Sequence, residues 1–310
     1  MLSIDESGER FLQAAALLPP ALRRLAEGLS PQKQRVAEEF RLRCGRPMTV
    51  VCGSGEEALG GRESLAVKNT DLNQVLEIAT QASAHTALER VRSGFVTVRG
   101  GHRIGICGSC VVKDGAVSNL RQISSLSIRI ARPATGAAAP VMDELLAGGR
   151  LHSTLILSPP GWGKTTLLRD IIRAVSDGER GNPLRVGVAD ERGELAAMYE
   201  GLPQLDVGVH TDVMDGCPKD VGLLMLLRGM NPQVLAADEI TAPADCAALE
   251  MAANCGVILL ATAHGENLAD LRGRPLYRRL LEQNIFSCLL TIERSGGLRR
   301  YRVTNLEVSP

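Results

Sequence analysis

One eight-residue segment constrains the fold more than any other part of the chain. Residues 158–165 read Ser-Pro-Pro-Gly-Trp-Gly-Lys-Thr, follow the apolar run 154–157, and lead at Thr166 into a segment with helical spacing. This order matches the phosphate-loop pattern G-x-x-x-x-G-K-[ST] between a strand and a helix, with Ser158 in the first glycine position. Such a loop turns its backbone N–H groups inward around phosphate oxygens. The segment therefore predicts an α/β core that binds a nucleoside triphosphate.

The residue types in this loop assign chemical roles. Gly161 and Gly163 permit the tight turn, Lys164 is expected to reach the β- and γ-phosphates, and the Thr165 hydroxyl is expected to bind Mg²⁺. We expect Trp162 to pack on a neighbouring residue. The predicted ligands are thus ATP and Mg²⁺, and the predicted nucleotide-binding residues are Ser158, Pro159, Pro160, Gly161, Trp162, Gly163, Lys164, Thr165 and Thr166.

Acidic residues follow two further apolar runs. Residues 234–237 lead into Asp238 and Glu239, and residues 186–189 lead into Asp190 and Glu191. Strand ends on the carboxyl side of a parallel sheet face the ligand crevice. We therefore expect Asp238 to hold Mg²⁺ with Thr165 and Glu239 to polarise the attacking water. Glu191 is the alternative for positioning water or metal, or it pairs with an arginine.

A histidine and several arginines complete the predicted site. His264 ends the strand that follows Asp238 and Glu239, where it is expected to contact the γ-phosphate and report its loss. Arginine is the usual stabiliser of the charge that develops on a transferring phosphoryl group. The candidate arginines, each with a solvated surface charge as the alternative, are Arg103, Arg121, Arg129, Arg132 and Arg228.

The chain changes character near residue 133. Before it, two short helices, a long helix from about residue 70 to 92, and glycine-punctuated strands indicate a small α+β domain at 1–132. Residues 133–140 are rich in Pro, Ala and Gly, carry no charge, and predict a linker or hinge. From 141 to 310, strands alternate with helices, which predicts a RecA-like P-loop core with a parallel sheet and a terminal strand pair turning at Gly296-Gly297.

Composition disfavours a nucleic-acid partner and a membrane span. The 35 basic and 35 acidic residues give a net charge of zero, and only 3% of residues are aromatic, so we expect no nucleic-acid partner. No run reaches the roughly 20 apolar residues of a membrane span, which makes the cytoplasm the expected location. Cys107 and Cys110 alone have metal-like spacing, and we interpret them as part of a glycine-rich strand turn.

These motifs together resemble a known family. The similarity to the stage III sporulation protein AA family of endospore-forming bacteria, which belongs with the type II and type IV secretion ATPases, extends from about residue 35 to 305. The nucleotide motifs alone occur in many ATPases, whereas their combination with the upstream segments is far more specific. The segments that carry the resemblance are 39–47, 93–95, 100–108, 120–132, 158–170, 190–192 and 238–240.

The resemblance implies a motor ATPase that forms a hexameric ring. It places the protein in the mother cell, on the cytoplasmic side of a membrane channel complex. It makes Lys164 and Thr165 the phosphate-loop residues, with the nucleotide between the two domains. The remaining implied site residues are Asp238 and Glu239 in Walker B roles, Glu191 in an acidic box, His264 in a histidine box, and Arg129 and Arg132 facing the nucleotide.

Two other readings of the same residues remain. A nucleic-acid-dependent RecA-like motor uses the same core, although the neutral charge and few aromatic residues disfavour it. A nucleotide-gated scaffold binds ATP and changes shape without turnover, which the acids after the strands disfavour. A hydrolysing oligomeric motor is the reading that the whole pattern favours.

Overall fold

The chain forms two units. The structure is a computed structural model that describes residues 4–53, 55–61, 65–80, 94–132, 135–295 and 298–306. One unit comprises Met1–Pro133 with Ala197–Gln204, and the other comprises Ala134–Ala196 with Leu205–Pro310. The sequence assigns residues 197–204 to the ATPase domain. The structure groups them with the first unit, where the Gln204 side chain accepts a hydrogen bond of 2.8 Å from the Gly100 N–H.

The helices and strands follow one another in this order. Up to residue 132 they are α1 (Ile4–Ala15), α2 (Pro20–Glu27), α3 (Pro31–Val36), β1 (Ala37–Arg43), β2 (Thr49–Cys52), β3 (Gly55–Ala58), α4 (Asn69–Thr80), β4 (Phe95–Thr97), β5 (Arg103–Lys113) and β6 (Ala116–Arg129). From residue 135 they are α5 (Met142–Leu145), β7 (Thr154–Ser158), α6 (Lys164–Asp177), β8 (Val186–Asp190), β9 (Met198–Tyr199), β10 (Leu202–Pro203), β11 (Thr211–Asp215), α7 (Lys219–Gly229), β12 (Val234–Ala237), α8 (Pro243–Asn254), β13 (Ile258–His264), α9 (Leu268–Gly273), α10 (Pro275–Glu282), β14 (Cys288–Ser295) and β15 (Leu298–Asn305).

The first unit is built on an antiparallel sheet with the strand order β3-β2-β1-β6-β5-β4. Helices cover its apolar face, and the rings of Phe11 on α1 and Phe40 on β1 meet edge to face with centroids 5.1 Å apart. Leu72 and Val75 of α4 are buried in the same core, as their helical spacing predicts. The rest of that predicted helix, from residue 81 to about 92, lies outside the described residues.

The hairpin β5–β6 is longer than the sequence predicts. Cys107 and Cys110, interpreted above as a strand turn, both lie within β5, and the register shifts between Cys107 and Ser109. Gly108 fills this bulge, where an added Cβ would come within 2.9 Å of the Arg121 carbonyl oxygen. A glycine therefore allows the two backbones to approach without ending the strand.

The second unit is built on a mostly parallel sheet with the order β11-β8-β12-β13-β7-β14-β15, in which only β15 is antiparallel. Helices cover the sheet on both faces: buried residues of α7 to α10 share one core cluster with the sheet, and α6, which is outside that cluster, packs against β7 and β13. The strands β7 and β8 are buried along their whole length, as expected for a parallel sheet covered on both faces. This order brings the carboxyl ends of β8, β12, β13 and β7 to one edge.

Residues 135–140, which the sequence predicts as a linker, form turns that belong to the second unit. Ala138 is fully buried, and its N–H donates a hydrogen bond of 2.7 Å to the Asp170 carboxylate on α6. This contact fixes the described part of the segment to α6 of the second unit. Within the described residues, no helix is long and apolar enough to cross a membrane.

Candidate nucleotide-binding site

The phosphate loop joins the buried strand β7 to helix α6, as the sequence predicts. Gly161 and Gly163 have φ angles of 73° and 94°, a left-handed conformation that glycine adopts without strain. Ser158 instead lies inside β7, and its hydroxyl donates to the Pro159 carbonyl oxygen at 3.1 Å. The first position of the motif is therefore extended backbone here, which explains why serine replaces glycine.

The other loop residues surround this turn. Pro159 is half-buried, Pro160 is exposed, and Thr166 lies half-buried in the first turn of α6. The half-buried Trp162 has the Arg294 guanidinium carbon 5.5 Å from its ring centroid. The predicted packing of Trp162 thus involves a residue of β14.

Lys164 is held at the strand edge by three acceptors. Its Nζ donates to the carbonyl oxygens of Ser158 at 2.9 Å and Pro159 at 3.1 Å, and it lies 2.8 Å from Nδ1 of His264. Burial lowers the pKa of Lys164, and the carboxylates of Asp238 and Glu239 oppose that shift. Because an ammonium group only donates hydrogen bonds, Nδ1 of His264 is the acceptor in this pair.

His264 continues the contact to Glu239. With Nδ1 accepting from Lys164, the neutral ring carries its proton on Nε2, which donates to Oε1 of Glu239. The second carboxylate oxygen of Glu239 accepts from Nη1 of Arg192 at 2.5 Å. Lys164, His264, Glu239 and Arg192 therefore form one continuous hydrogen-bonded chain, which we call the edge chain.

Asp238 makes a separate oxygen cluster beside the edge chain. Its Oδ2 accepts from the Thr165 hydroxyl at 2.6 Å, and its Oδ1 accepts from the Thr262 hydroxyl at 2.5 Å. Hydroxyl and carboxylate oxygens suit Mg²⁺, which keeps several waters and takes phosphate oxygens as further ligands. Thr165 and Asp238 therefore fit the predicted metal. No set of three or more His, Cys, Asp or Glu residues with metal-site geometry occurs among the described residues.

The backbone at Glu239 is in a rarely populated conformation. Its φ is 56°, which costs a non-glycine residue on the order of 1 kcal/mol. Two contacts hold it there: the Glu239 N–H donates to the Thr262 hydroxyl at 2.8 Å, and its carbonyl oxygen accepts from Lys219 Nζ at 2.8 Å. Strain of this kind is often found at functional positions, which is consistent with Glu239 as a candidate site residue.

Glu191 lies at the end of the neighbouring strand. Its carboxylate is 3.3 Å from Lys219 Nζ, and its side chain is 43% exposed against 23% for Glu239. Lys219 is buried and contacts both acids, since its Nζ also reaches the Glu239 carbonyl oxygen. The pairing partner of Glu191 is thus a lysine, where the sequence predicted an arginine as the alternative to a catalytic role.

Asp190 supports the site without facing it. Its buried carboxylate accepts hydrogen bonds from the N–H groups of Glu194, Leu195 and Ala196 at 2.8 to 3.2 Å. Burial raises the pKa of Asp190, and those N–H groups act in the opposite direction. Arg169 of α6 donates to the carbonyl oxygens of Glu194 and Leu195, each at 2.6 Å. The loop that carries Arg192 is therefore fixed at its base.

The two candidate arginines at the end of the first unit differ in their contacts. In the first unit, Arg132 donates to the carbonyl oxygens of Ala37 at 2.7 Å and Gln34 at 3.0 Å, and burial lowers its pKa. Arg129 has a side chain that is 63% exposed, 3.9 Å from the Glu39 carboxylate. Arg132 is thus occupied with backbone acceptors of its own unit, and Arg129 is accessible.

Arg228 is the one candidate that the second unit places away from the loop. It lies in the last turn of α7, whereas Lys219 begins that helix at the strand edge. A rise of about 1.5 Å per residue puts roughly 14 Å of helix between the two positions. Arg228 therefore lies far along α7 from the strand edge where Lys219 begins the helix, and its role at the phosphates stays a prediction.

Three residues of the site were missed by the sequence analysis: Arg192, Lys219 and Thr262. Arg192 follows β8, Lys219 begins α7, and Thr262 lies near the end of β13. Each of them donates a hydrogen bond to Asp238 or Glu239, which follow β12. Thr262 was the most accessible to prediction, because it lies two residues before His264 on a strand. The contacts of Arg192 and Lys219 with Glu239 can be recognised only once it is known that β8 and β12 are neighbours in the sheet.

Comparisons with known proteins agree with this geometry. The family described as sporulation stage III, protein AA matches residues 9–303. The stage III sporulation protein AA of Bacillus subtilis (strain 168) is 37% identical over 286 residues, which cover 92% of each chain.

Solved structures show the same fold at low identity. The Legionella pneumophila ATPase DotB superposes with a TM-score of 0.57 at 15% identity, over 95% of this chain and 78% of that one. The pilus retraction motor PilT with bound ADP gives a TM-score of 0.58 at 13% identity, over 87% and 80%. The α/β fold with a RecA-like core is confirmed.

Proposed function

The chain belongs to the sporulation stage III protein AA family, and we propose that it is an ATP hydrolase that powers a membrane transport complex during endospore formation. The observation that carries this proposal is the edge chain, which links the phosphate-loop lysine through His264 to Glu239. Beside it, Thr165 and Asp238 supply the oxygens for a metal. A site that only binds nucleotide does not require a carboxylate such as that of Glu239, which is linked through His264 to the phosphate-loop lysine.

Each residue then has a defined task. The backbone N–H groups of residues 161–166 and Lys164 bind the β- and γ-phosphates of ATP. Thr165 and Asp238 hold Mg²⁺, which neutralises charge on the phosphate oxygens when bound. Glu239 accepts a hydrogen bond from the water that attacks the γ-phosphorus, while the bond to the bridging oxygen breaks and ADP leaves. Glu239 is preferred to Glu191 because it lies on the edge chain and Glu191 pairs with Lys219.

His264 couples the phosphate to the water-activating acid. A γ-phosphate that attracts Lys164 Nζ competes with Nδ1 of His264 for the same ammonium protons. The ring of His264 is then free to reorient, and its contact with Glu239 changes. Loss of the γ-phosphate restores the pair, so that His264 reports the state of the nucleotide.

The oligomer and the location are parts of the same proposal. DotB is an ATPase and PilT a retraction motor, and both share the fold of this chain. We propose a hexameric ring on the cytoplasmic side of a membrane channel complex, in the mother cell, in which Arg129 supplies positive charge to the transferring phosphoryl group. Arg132, with its backbone contacts, positions the segment that carries Arg129.

The test is phosphate release from MgATP by the purified full chain over a range of protein concentrations, beside Lys164→Ala. The proposal predicts turnover by the native chain, none by the variant, and specific activity that rises with concentration as rings form. Native protein that binds MgATP but is as inactive as Lys164→Ala would instead indicate a nucleotide-gated scaffold. Turnover that requires added DNA or RNA would indicate a nucleic-acid motor.

A further inference from the structure

The β14–β15 hairpin extends beyond the strand that leads into the phosphate loop. β14 pairs with β7 from Cys288 opposite Thr154 to Thr291 opposite Leu157. Residues 292–295 continue past that point and pair only with β15. At about 3.3 Å per residue, these four residues add roughly 13 Å of strand. Because the chain after β7 turns into the phosphate loop, the outer part of the hairpin lies alongside that loop.

The two faces of this outer hairpin differ in charge balance. On one face Glu293 is opposite Arg300, and it also pairs with Arg302 at 3.1 Å. On the other face Arg294 is directly opposite Arg299. Neither of these two arginines has an acidic partner among the described residues. Like charges directly opposite each other on antiparallel strands are destabilising, so this face carries a charge that the protein leaves uncompensated.

The uncompensated face meets the phosphate loop. Arg294 donates from Nη2 to the Gly161 carbonyl oxygen at 3.3 Å and lies over Trp162. A Cβ added to Gly163 would lie 3.0 Å from both Cζ and Nη1 of Arg299. Both guanidinium groups therefore lie against the part of the loop that is expected to wrap the phosphates.

We propose that Arg294 and Arg299 form a second set of phosphate contacts, supplied by the same unit that carries the loop, for the phosphate chain of a nucleoside di- or triphosphate. This inference rests on the proposed function, since it assigns two further binding residues to that site. Guanidinium groups present planar donors that match phosphate oxygens. An anion in the loop relieves the repulsion between the two arginines and gains their hydrogen bonds, so both arginines increase affinity for the nucleotide.

The same hairpin offers a matched control. Arg300 is exposed, has the same chemistry and lies one residue from Arg299, but it points to the opposite face beside Glu293. Replacing Arg300 with Gln removes the same charge from the hairpin without touching the loop. Arg294→Lys and Arg299→Lys keep the charge and remove the fork of donors.

The experiment measures MgADP binding to the full chain by calorimetry at several salt concentrations. We expect Arg294→Gln and Arg299→Gln to raise Kd by about tenfold each, the order expected for a lost charge-assisted hydrogen bond. The lysine variants should recover part of this loss, and Arg300→Gln should bind like the native chain. Binding should weaken less with salt in the glutamine variants, because salt screens charges that they lack. The fluorescence of Trp162, the single tryptophan, gives a second binding signal for Arg299→Gln, whereas Arg294→Gln itself removes the guanidinium over that ring.

The outcomes separate this inference from the proposed function. If native protein binds MgADP, Lys164→Ala binds weakly and both glutamine variants bind like the native chain, the arginine assignment is wrong while the nucleotide site stands. If the glutamine variants bind weakly but lysine restores nothing and the salt dependence is unchanged, the arginines only brace the loop, and the assignment is again wrong. If the native chain binds no nucleotide, the proposed function fails and this inference with it. Equal melting temperatures show that each variant is folded.

Discussion

Two Asp-Glu pairs lie side by side in this protein, and the fold gives them different tasks. Asp190 ends β8 and Glu191 follows it, whereas both Asp238 and Glu239 follow β12; the alanines before the two aspartates are directly paired in these parallel strands. Asp190 is buried and accepts backbone N–H groups of its own loop, whereas Asp238 accepts the hydroxyls of Thr165 and Thr262. The aspartate of the same dipeptide thus supports its own loop after one strand and contacts the phosphate loop through Thr165 after the next.

Distance from the phosphate loop accounts for the difference. In the sheet order β8-β12-β13-β7, the strand before Asp238 is one position nearer to β7 than the strand before Asp190. Neighbouring strands are about 4.8 Å apart, which is more than the length of a hydroxyl–carboxylate hydrogen bond. Thr165 therefore reaches one pair and not the other. The sequence pattern identifies acids at strand ends, and the sheet order decides which of them contact the phosphate loop.

The largest expected contrast is between the two aspartates. We expect Asp238→Asn to lower phosphate release roughly 100- to 1,000-fold and to raise the Mg²⁺ concentration needed, because a charged oxygen near the phosphates is lost. Asp190→Asn should instead lower the free energy of unfolding by about 2 kcal/mol through lost acceptors, with turnover per folded molecule little changed. Metal titrations and denaturant melts measure both. A loss of turnover in Asp190→Asn with normal stability would break the comparison.

The two glutamates give a second test of the difference between the two Asp-Glu pairs. Glu239→Gln should reduce turnover by about 100-fold, as expected for a group that aligns the attacking water, while MgATP binding survives. Glu191→Gln should leave turnover close to native, because that side chain is paired with Lys219. Single-turnover hydrolysis and ATP binding on both variants decide. The reverse order of effects would make Glu191 the water-activating acid.

Lys219 connects the two pairs, so its removal should affect both. Lys219→Met leaves the Glu239 carbonyl oxygen and the Glu191 carboxylate without their buried partner. We expect an unfolding free energy lower by about 2 kcal/mol and turnover reduced by about tenfold, because displacement of Glu239 misaligns the water. Lys33→Met, which breaks an exposed pair with Glu57, is the control and should change stability by less than about 1 kcal/mol. Equal changes of stability and turnover in the two variants would contradict the role of Lys219 in holding Glu239.

The smallest effect concerns Thr262, which contacts only the second pair. Thr262→Val removes the donor to Asp238 and the acceptor for the Glu239 N–H. Stability should fall by about 1 kcal/mol, and turnover should fall with it. Thr154→Val is the matched control, since its buried hydroxyl bonds the His152 carbonyl oxygen at the other end of the sheet. The control should lose similar stability and keep turnover per folded molecule.

The sequence predicted the centre of the second unit well because local signals there are strong. The strands 154–157, 186–189 and 234–237 are apolar runs in a sheet covered on both faces, and the structure contains each of them within one residue. The edge strand Thr211–Asp215 was missed. It pairs with β8 alone and is only half-buried, so it lacks the apolar run on which the prediction depended.

The candidate site was predictable only where its residues are near in sequence to a motif. Lys164, Asp238 and His264 follow from strand ends and the loop pattern. Arg192 and Lys219 depend on which strands are neighbours, and Arg294 and Arg299 depend on β14 lying beside β7. Sheet order is a property of the folded chain that periodicity does not encode, which is why these contacts emerged only from the structure.

The most direct test of the central claim is the identity of the nucleotide retained after incubation with MgATP and rapid gel filtration. Native protein should retain ADP, Glu239→Gln should retain unhydrolysed ATP, and Lys164→Ala should retain neither. ADP in Glu239→Gln at the native level would contradict the assignment of Glu239 as the residue that activates water. ATP in the native protein as well would contradict hydrolysis at this site.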